Sequence, residues 1–293
     1  MQPKSSFLNL IRGFLIGTAE VIPGVSGGTV ALIVGVYETI IAGVSNFGSA
    51  LAFLSKGNGQ QAKEQFRQIR FDVLLPILLG MITAIFAAAA LIEPLFEAEP
   101  EIIRALFAGL LIASFYVPAK MIGRNLNVAV LALVFGGAVL AYWMTSLPSA
   151  SQADPMWWQV ILFAGLAVCA LVLPGVSGSF FLLAVGLYAP TIAAVNERNF
   201  GYLGLFLIGA IVGLLVFAKL IKVLLERYRV FTLSLMLGLM IGSLRALWPW
   251  QSEARELLQI SEPIGPVIAC VAGLLIVAGI IIAERRLRTS ANQ

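Results

Sequence analysis

Apolar residues run in long blocks separated by short polar stretches. Ten blocks can be marked, at 7–22, 24–45, 73–92, 102–118, 128–147, 156–173, 175–195, 201–225, 230–248 and 264–283. Most approach the roughly 20 residues that a helix needs to cross a bilayer. The pattern therefore predicts an all-α polytopic membrane protein. It also repeats. Pro23–Tyr37 reads PGVSGGTVALIVGVY and Pro174–Tyr188 reads PGVSGSFFLLAVGLY, sharing nine of fifteen residues at an offset of 151. A second block, Leu74–Ser114, aligns without a gap on Leu203–Ser243 at an offset of 129, matching Gly80 with Gly209, Glu97 with Glu226, Gly109 with Gly238 and Ser114 with Ser243. The difference of 22 is an insertion in the first half, placed in the polar stretch Lys56–Arg70, which reads as the one long hydrophilic loop. Bias toward leucine cannot align PGVSG, glycines and a glutamate, so the chain is a duplication. Its halves are expected at 1–147, with the polar loop 56–70, and at 148–293.

Each half holds five blocks. If all five cross the membrane the number is odd; if PGVSG is the tip of a re-entrant hairpin, three cross, which is odd again. Either way the second half is inverted relative to the first, as in many secondary transporters. From a cytoplasmic N-terminus, the inner loops carry Lys56, Lys63, Arg67 and Arg70, then Lys120 and Arg124, then Arg227 and Arg229, then Arg285, Arg286 and Arg288. The outer loops carry Glu93, Glu97, Glu99 and Glu101, then Asp154, then Glu253, Glu256 and Glu262 with Arg255. This is a positive-inside pattern with both termini in the cytoplasm. It does not separate ten spans from six spans plus two hairpins; the hairpin reading is preferred, with the two tips meeting near mid-membrane.

Composition closes off other classes. Of 293 residues 60% are apolar and 12% charged, against about 25% charged in soluble domains, too few to cover a water-facing surface. No basic run suits nucleic acid. Cys169 and Cys270 sit singly in apolar blocks, so neither a disulfide nor a metal site is expected. The chain has no histidine, which removes Ser-His-Asp and Cys-His catalysis and leaves carboxylates to carry any transported proton. Arg12 and Glu20 interrupt the first block and no small-x-small site follows, unlike a cleaved signal peptide.

Each PGVSG break is a candidate site. Proline removes an N–H and glycine opens otherwise closed backbone angles, so polar groups are freed at membrane depth and must face protein, water or ligand. After Pro23 and Gly24, the residues Ser26, Gly27, Gly28 and Thr29 would present N–H groups and hydroxyls at a helix start, where anions bind. Pro174 and Gly175, followed by Ser177, Gly178 and Ser179, repeat the arrangement. The plain alternative is close helix packing through small residues, for which Gly13/Gly17 and Gly24/Gly28 are spaced. A charged residue in an apolar block costs about 2.5–3.5 kcal/mol or more at the bilayer centre, which makes such residues candidates for function. Glu20, three residues before Pro23, is a candidate proton carrier or ion-pair partner; its counterpart is Leu171. Arg12 reads as an interface residue. Arg104 and Arg245 are candidate phosphate ligands, since guanidinium binds phosphate bidentately, or else interface anchors beside tryptophan. Lys120, Lys219, Lys222 and Glu38 read as interface residues, and Trp143, Trp157 and Trp158 as an outer aromatic belt.

The stretch Ala19–Thr29, AEVIPGVSGGT, ending in Gly35-Val36-Tyr37-Glu38, resembles the signature of the bacterial polyprenyl-phosphate transporter family. Leu173–Phe180, and Gly242–Arg245 with Trp248-Pro249-Trp250, resemble it too. The likeness covers nearly the whole chain; Leu187 stands where many members carry lysine. It implies recycling of undecaprenyl phosphate, the lipid carrier of cell-wall precursors, from the outer to the inner leaflet of the bacterial cytoplasmic membrane. The expected reading is thus a lipid-phosphate flippase needing no cofactor and no metal, partnered by polyprenyl phosphate and the membrane, with no nucleic acid; a homodimer is compatible with it. A channel or exchanger for small inorganic anions is the nearest alternative. A membrane enzyme is disfavoured, because no acidic metal cluster accompanies the missing histidines.

Overall fold

The computed structural model describes residues 3–21, 26–147, 155–252 and 256–291. Among these residues the fold is helical throughout, with one isolated bridge, Gln251 to Leu257. Its helices are α1 (Pro3–Val21), α2 (Gly27–Ile33), α3 (Tyr37–Ser55), α4 (Gly59–Arg67), α5 (Phe71–Ala98), α6 (Pro100–Ser114), α7 (Tyr116–Ile122), α8 (Val128–Ser146), α9 (Trp157–Val172), α10 (Gly178–Ala184), α11 (Tyr188–Asn196), α12 (Phe200–Arg227), α13 (Arg229–Ser243) and α14 (Ile264–Ala291), with a 3-10 turn at Leu244–Leu247.

Among the described residues four stretches are long and apolar enough to cross a membrane: Pro100–Ile122, Val128–Ser146, Phe200–Arg227 and Arg229–Leu247. The pair α2 and α3 would make a fifth if taken as one span, but it is bent by 117°. That bend corrects the expectation of one apolar element over 24–45. The backbone turns at Gly35, with φ +71°, where the N–H of Val36 reaches back to the Ala31 carbonyl. Gly186, its equivalent in the second half, has φ +81° and separates α10 from α11 in the same way. Both positions need glycine's freedom. The polar stretch 56–70, expected as a loop, instead contains α4, begun by Asn58, whose side chain accepts from the Gln61 N–H at 3.1 Å.

The duplication recurs contact by contact. A side chain on Gly80 of α5 would strike the Leu10 carbonyl of α1, and one on Gly209 of α12 would strike Ile161 of α9, which is Leu10 moved by 151. Gly109 of α6 lies against Cys270 of α14, and Gly238 of α13 against Val134 of α8; Gly273 faces Leu106 as Gly137 faces Leu235. Glycine lets these backbones touch. The last two pairs are exchanged between the halves: α6 packs on α14 and α13 on α8, so each half holds a helix of the other.

The core lies where the halves meet. Ile16, Leu32, Tyr37, Ile77, Leu233 and Met236 are buried there together. The outer surface is apolar, with Phe135 and Leu275 largely exposed, as a face turned to lipid requires. Trp143, Trp157 and Trp158 are exposed too.

Candidate functional site

The two interrupted segments cross at the centre. Ser26, just before α2, donates its hydroxyl to the Leu173 carbonyl at 3.1 Å and lies 3.4 Å from that of Leu171. Tyr37, at the start of α3, donates to the Val172 carbonyl at 3.2 Å. Carbonyls at the C-terminal end of α9 have no partner within their own helix, so residues of the first half complete them. In return the Gly175 N–H donates to Thr29 Oγ1 at 2.9 Å. Gly175 is buried with φ +84°, against the backbone of Met240, where a side chain has no room. Gly28 lies over the Val172 carbonyl. Thus Ser26, Gly28 and Thr29 sit together with Pro174 and Gly175. Pro23 and Gly24 lie outside the described residues.

A cavity of about 160 Å³ opens beside this crossing, between α1, α2, α6 and α14. Its wall is mainly apolar, with Leu15, Phe107 and Val277, while Thr18, Ser26, Thr29 and Ser114 supply hydroxyls. Ser26 spends its proton on a carbonyl. Thr29 accepts from Gly175 and keeps its proton for another acceptor. The helix that follows each break is only seven residues long. Anion binding here therefore depends on individual N–H and O–H groups rather than on a long aligned dipole.

The second break is built differently. Ser177 and Ser179 bond each other through their hydroxyls at 3.0 Å, and Gly178 packs against Leu171 and Ala167. Gly27 packs in the equivalent way against Glu20, whose carboxylate accepts from the Gly27 N–H. Arg12 and Glu20 stand eight residues apart on α1, a rise of about 12 Å. Arg12 donates to Asn9 Oδ1 at 3.0 Å.

Arg245 donates to the Thr145 carbonyl at 2.5 Å and lies 5.5 Å from the centre of the Tyr142 ring. Thr145 also lines a space of about 20 Å³ with Ser177, so Arg245 stands next to the second break. Arg104 donates to the Pro249 carbonyl at 3.2 Å. Both arginines therefore flank the Trp248-Pro249-Trp250 segment. Gln251 staples that segment by donating to the carbonyls of Arg245, Ala246 and Trp248.

Three features escaped the sequence reading. Tyr37 bridges the halves, and its repetition as Tyr188 was the available signal. Ser114 lines the cavity, and its match with Ser243 at the offset of 129 was the available signal. Glu38 and Lys120, read as interface residues, and Arg229, read as an inner-loop cation, border an open chamber on the far side of α2. Among the described residues no group of His, Cys, Asp and Glu could hold a metal.

Interrupted helices crossing inside an apolar bundle, with polar groups gathered at the crossing, define a multi-pass membrane protein of the transporter type. Residues 16–263 match the undecaprenyl phosphate translocase-like family, and the chain belongs to that family. The protein from Vibrio cholerae named polyprenyl-phosphate transporter is 36% identical over 241 residues, 82% of this chain and 77% of that one. A protein of the same name from Staphylococcus aureus is 29% identical over 261 residues, 83% of this chain and 86% of its own. No solved structure matches this chain.

Proposed function

We propose that this protein carries undecaprenyl phosphate between the leaflets of the bacterial cytoplasmic membrane, returning the lipid carrier to the inner leaflet. The observation that carries the reading is the cavity at the crossing of the broken segments, where an apolar wall meets hydroxyl and amide groups. A prenyl phosphate has the same two parts. The family and the two named relatives supply the identity of the lipid.

In this reading residues 1–147 and 148–293 are inverted repeats, each with a re-entrant hairpin and three spanning helices, and both termini are cytoplasmic. Paired glycine contacts and the positive-inside charge pattern support the arrangement. The phosphate is held by Ser26, Gly27, Gly28 and Thr29 on one side and by Ser177, Gly178 and Ser179 on the other. Arg245 and Arg104, beside the Trp248–Trp250 segment, supply the positive charge that neutralises it. Pro23, Gly24, Pro174 and Gly175 keep both chains broken there. Glu20, bound to Gly27, is the carboxylate placed to couple the cycle to protons.

Reconstituted in liposomes, the protein should move undecaprenyl phosphate between leaflets, and Ser26→Ala or Arg245→Ala should slow it at equal protein content. Normal flipping by both variants would sink the site assignment. Flux of chloride or phosphate without prenyl lipid would make the protein an anion channel instead.

A further inference from the structure

We infer that the chamber on the far side of α2 is a second phosphate-headgroup site, built around Lys120 and Arg229; this rests on the lipid-phosphate reading. The chamber measures about 640 Å³ and is lined by Gly35, Tyr37 and Glu38 at the α2–α3 turn, by Tyr116 and Lys120 of α7, and by Arg229 at the start of α13. Ile33 lines both this chamber and the central cavity, so a single side chain stands between them. A headgroup leaving Ser26 and Thr29 has only the length of α2 to travel, about 10 Å at 1.5 Å per residue.

The duplication shows what is special about this chamber. Tyr116 corresponds to Arg245 at the offset of 129, and Ile281, which also lines the chamber, corresponds to Thr145, the partner of Arg245, at the offset of 136 that relates Gly137 to Gly273. The chamber is therefore the counterpart of the Arg245 region. Its charges are not inherited: Lys120, Arg229 and Glu38 match Pro249, Pro100 and Ala189. The two regions each carry cations, set at different positions. One is closed down, with Arg245 on the Thr145 carbonyl beside the stapled Trp248–Trp250 segment. The other is open.

Arg229 donates from Nη1 and Nη2 to the two oxygens of Glu38, at 3.2 and 2.6 Å. Lys120 Nζ lies 5.8 Å from the centre of the Tyr116 ring. Taken alone, the Arg229–Glu38 pair would be a clamp between α13 and α3, and Lys120 a snorkelling lysine. The open chamber between them changes the reading. With both side chains nearly half exposed, at 46% and 47%, water screens the pair and another anion can reach Arg229. The fork that fits a carboxylate also fits a phosphate. A phosphomonoester carries about −1.5 to −2 charges and suits two cations better than one. Glu38 thus acts as an internal competitor, holding Arg229 until a headgroup arrives and then turning to water.

The test uses the purified full chain in detergent, with binding of farnesyl phosphate, farnesol and inorganic phosphate each measured by calorimetry. Farnesyl phosphate should bind and farnesol much less. Lys120→Ala should weaken farnesyl phosphate at least about tenfold, the scale of one lost charge-assisted contact. Glu38→Gln should tighten it severalfold, a gain that a misfolded variant would not give. If both variants bind farnesyl phosphate as the parent does, while Arg245→Ala weakens it, the chamber is not a site. Binding of inorganic phosphate that depends on Lys120, without binding of farnesyl phosphate, overturns the lipid-headgroup assignment. If the parent takes farnesol and farnesyl phosphate alike, the lipid-phosphate reading falls and the chamber with it.

Discussion

Beside Ser26 and Thr29 lies a cavity of about 160 Å³, whereas the equivalent space beside Ser177 measures about 20 Å³. The walls correspond: Ser26 with Ser177, Ser114 with Ser243, Val277 with Ala141. What differs is the content. Where the first half has Val30, the second has Phe181, whose ring packs 6.4 Å from that of Phe163. Duplication supplied two copies of one frame, and substitution filled one of them. On the filled side Arg245 holds the carbonyl of Thr145, and at the break beside the open side Glu20 packs against Gly27.

The largest test is to make the first cavity like the second. Val30→Phe should reduce flipping by at least about tenfold, since forcing a ring into a packed site costs about 1–3 kcal/mol and occupies the space the lipid would use. An unchanged rate would separate the cavity from transport. Next, Arg245→Ala should slow flipping about tenfold, the scale of a lost charge-assisted bond, while Arg245→Lys should recover part of it; equal loss in both variants would point to a role in packing. Thr29→Val, which keeps shape and removes an acceptor from Gly175, should cost about 1–3 kcal/mol in thermal unfolding and several-fold in flipping. Phe181→Val should destabilise by about 1–2 kcal/mol without raising the flipping rate, if an open space alone does not make a site. The smallest effect is expected at the insertion that only the first half carries. Arg70, bonded to Asp72 at 2.9 Å, lowers the Asp72 pKa, so any stability from this pair exists above the ordinary carboxylate range and is lost as pH falls through the lowered value. Because the pair is exposed at the surface, Asp72→Asn should leave unfolding and flipping at neutral pH unchanged; a measurable loss would give the junction between the insertion and α5 a role that its exposure does not suggest.

Much of this frame was legible in the chain. PGVSG fixed where the segments break, because proline and glycine act on their own backbone whatever surrounds them. The break at Gly35 was hidden, since its immediate neighbours Ile33, Val34, Val36 and Tyr37 are apolar or aromatic and the turn becomes visible only through its positive φ. The helix α4 was missed because its residues are polar and the reading sought apolar periodicity. Glu20 was marked by its cost in an apolar block, while its contact with Gly27 joins α1 to the start of α2 and depends on how those two helices meet. Lys120 and Arg229 were passed over, because a cation near a helix end looks alike whether it faces lipid headgroups or a chamber.

By itself the sequence determined membrane insertion, the duplication, the two central breaks and the chemical groups brought to them. These follow from solvent transfer and local backbone limits, which act within a few residues. The tertiary structure alone decided that α6 packs on α14 and α13 on α8, that Ser26 and Thr29 tie the two halves together, and that one cavity is open and its twin filled. Small-residue faces fit several neighbours equally well, so the choice of partner, and the space left between partners, depend on how the whole set of helices packs.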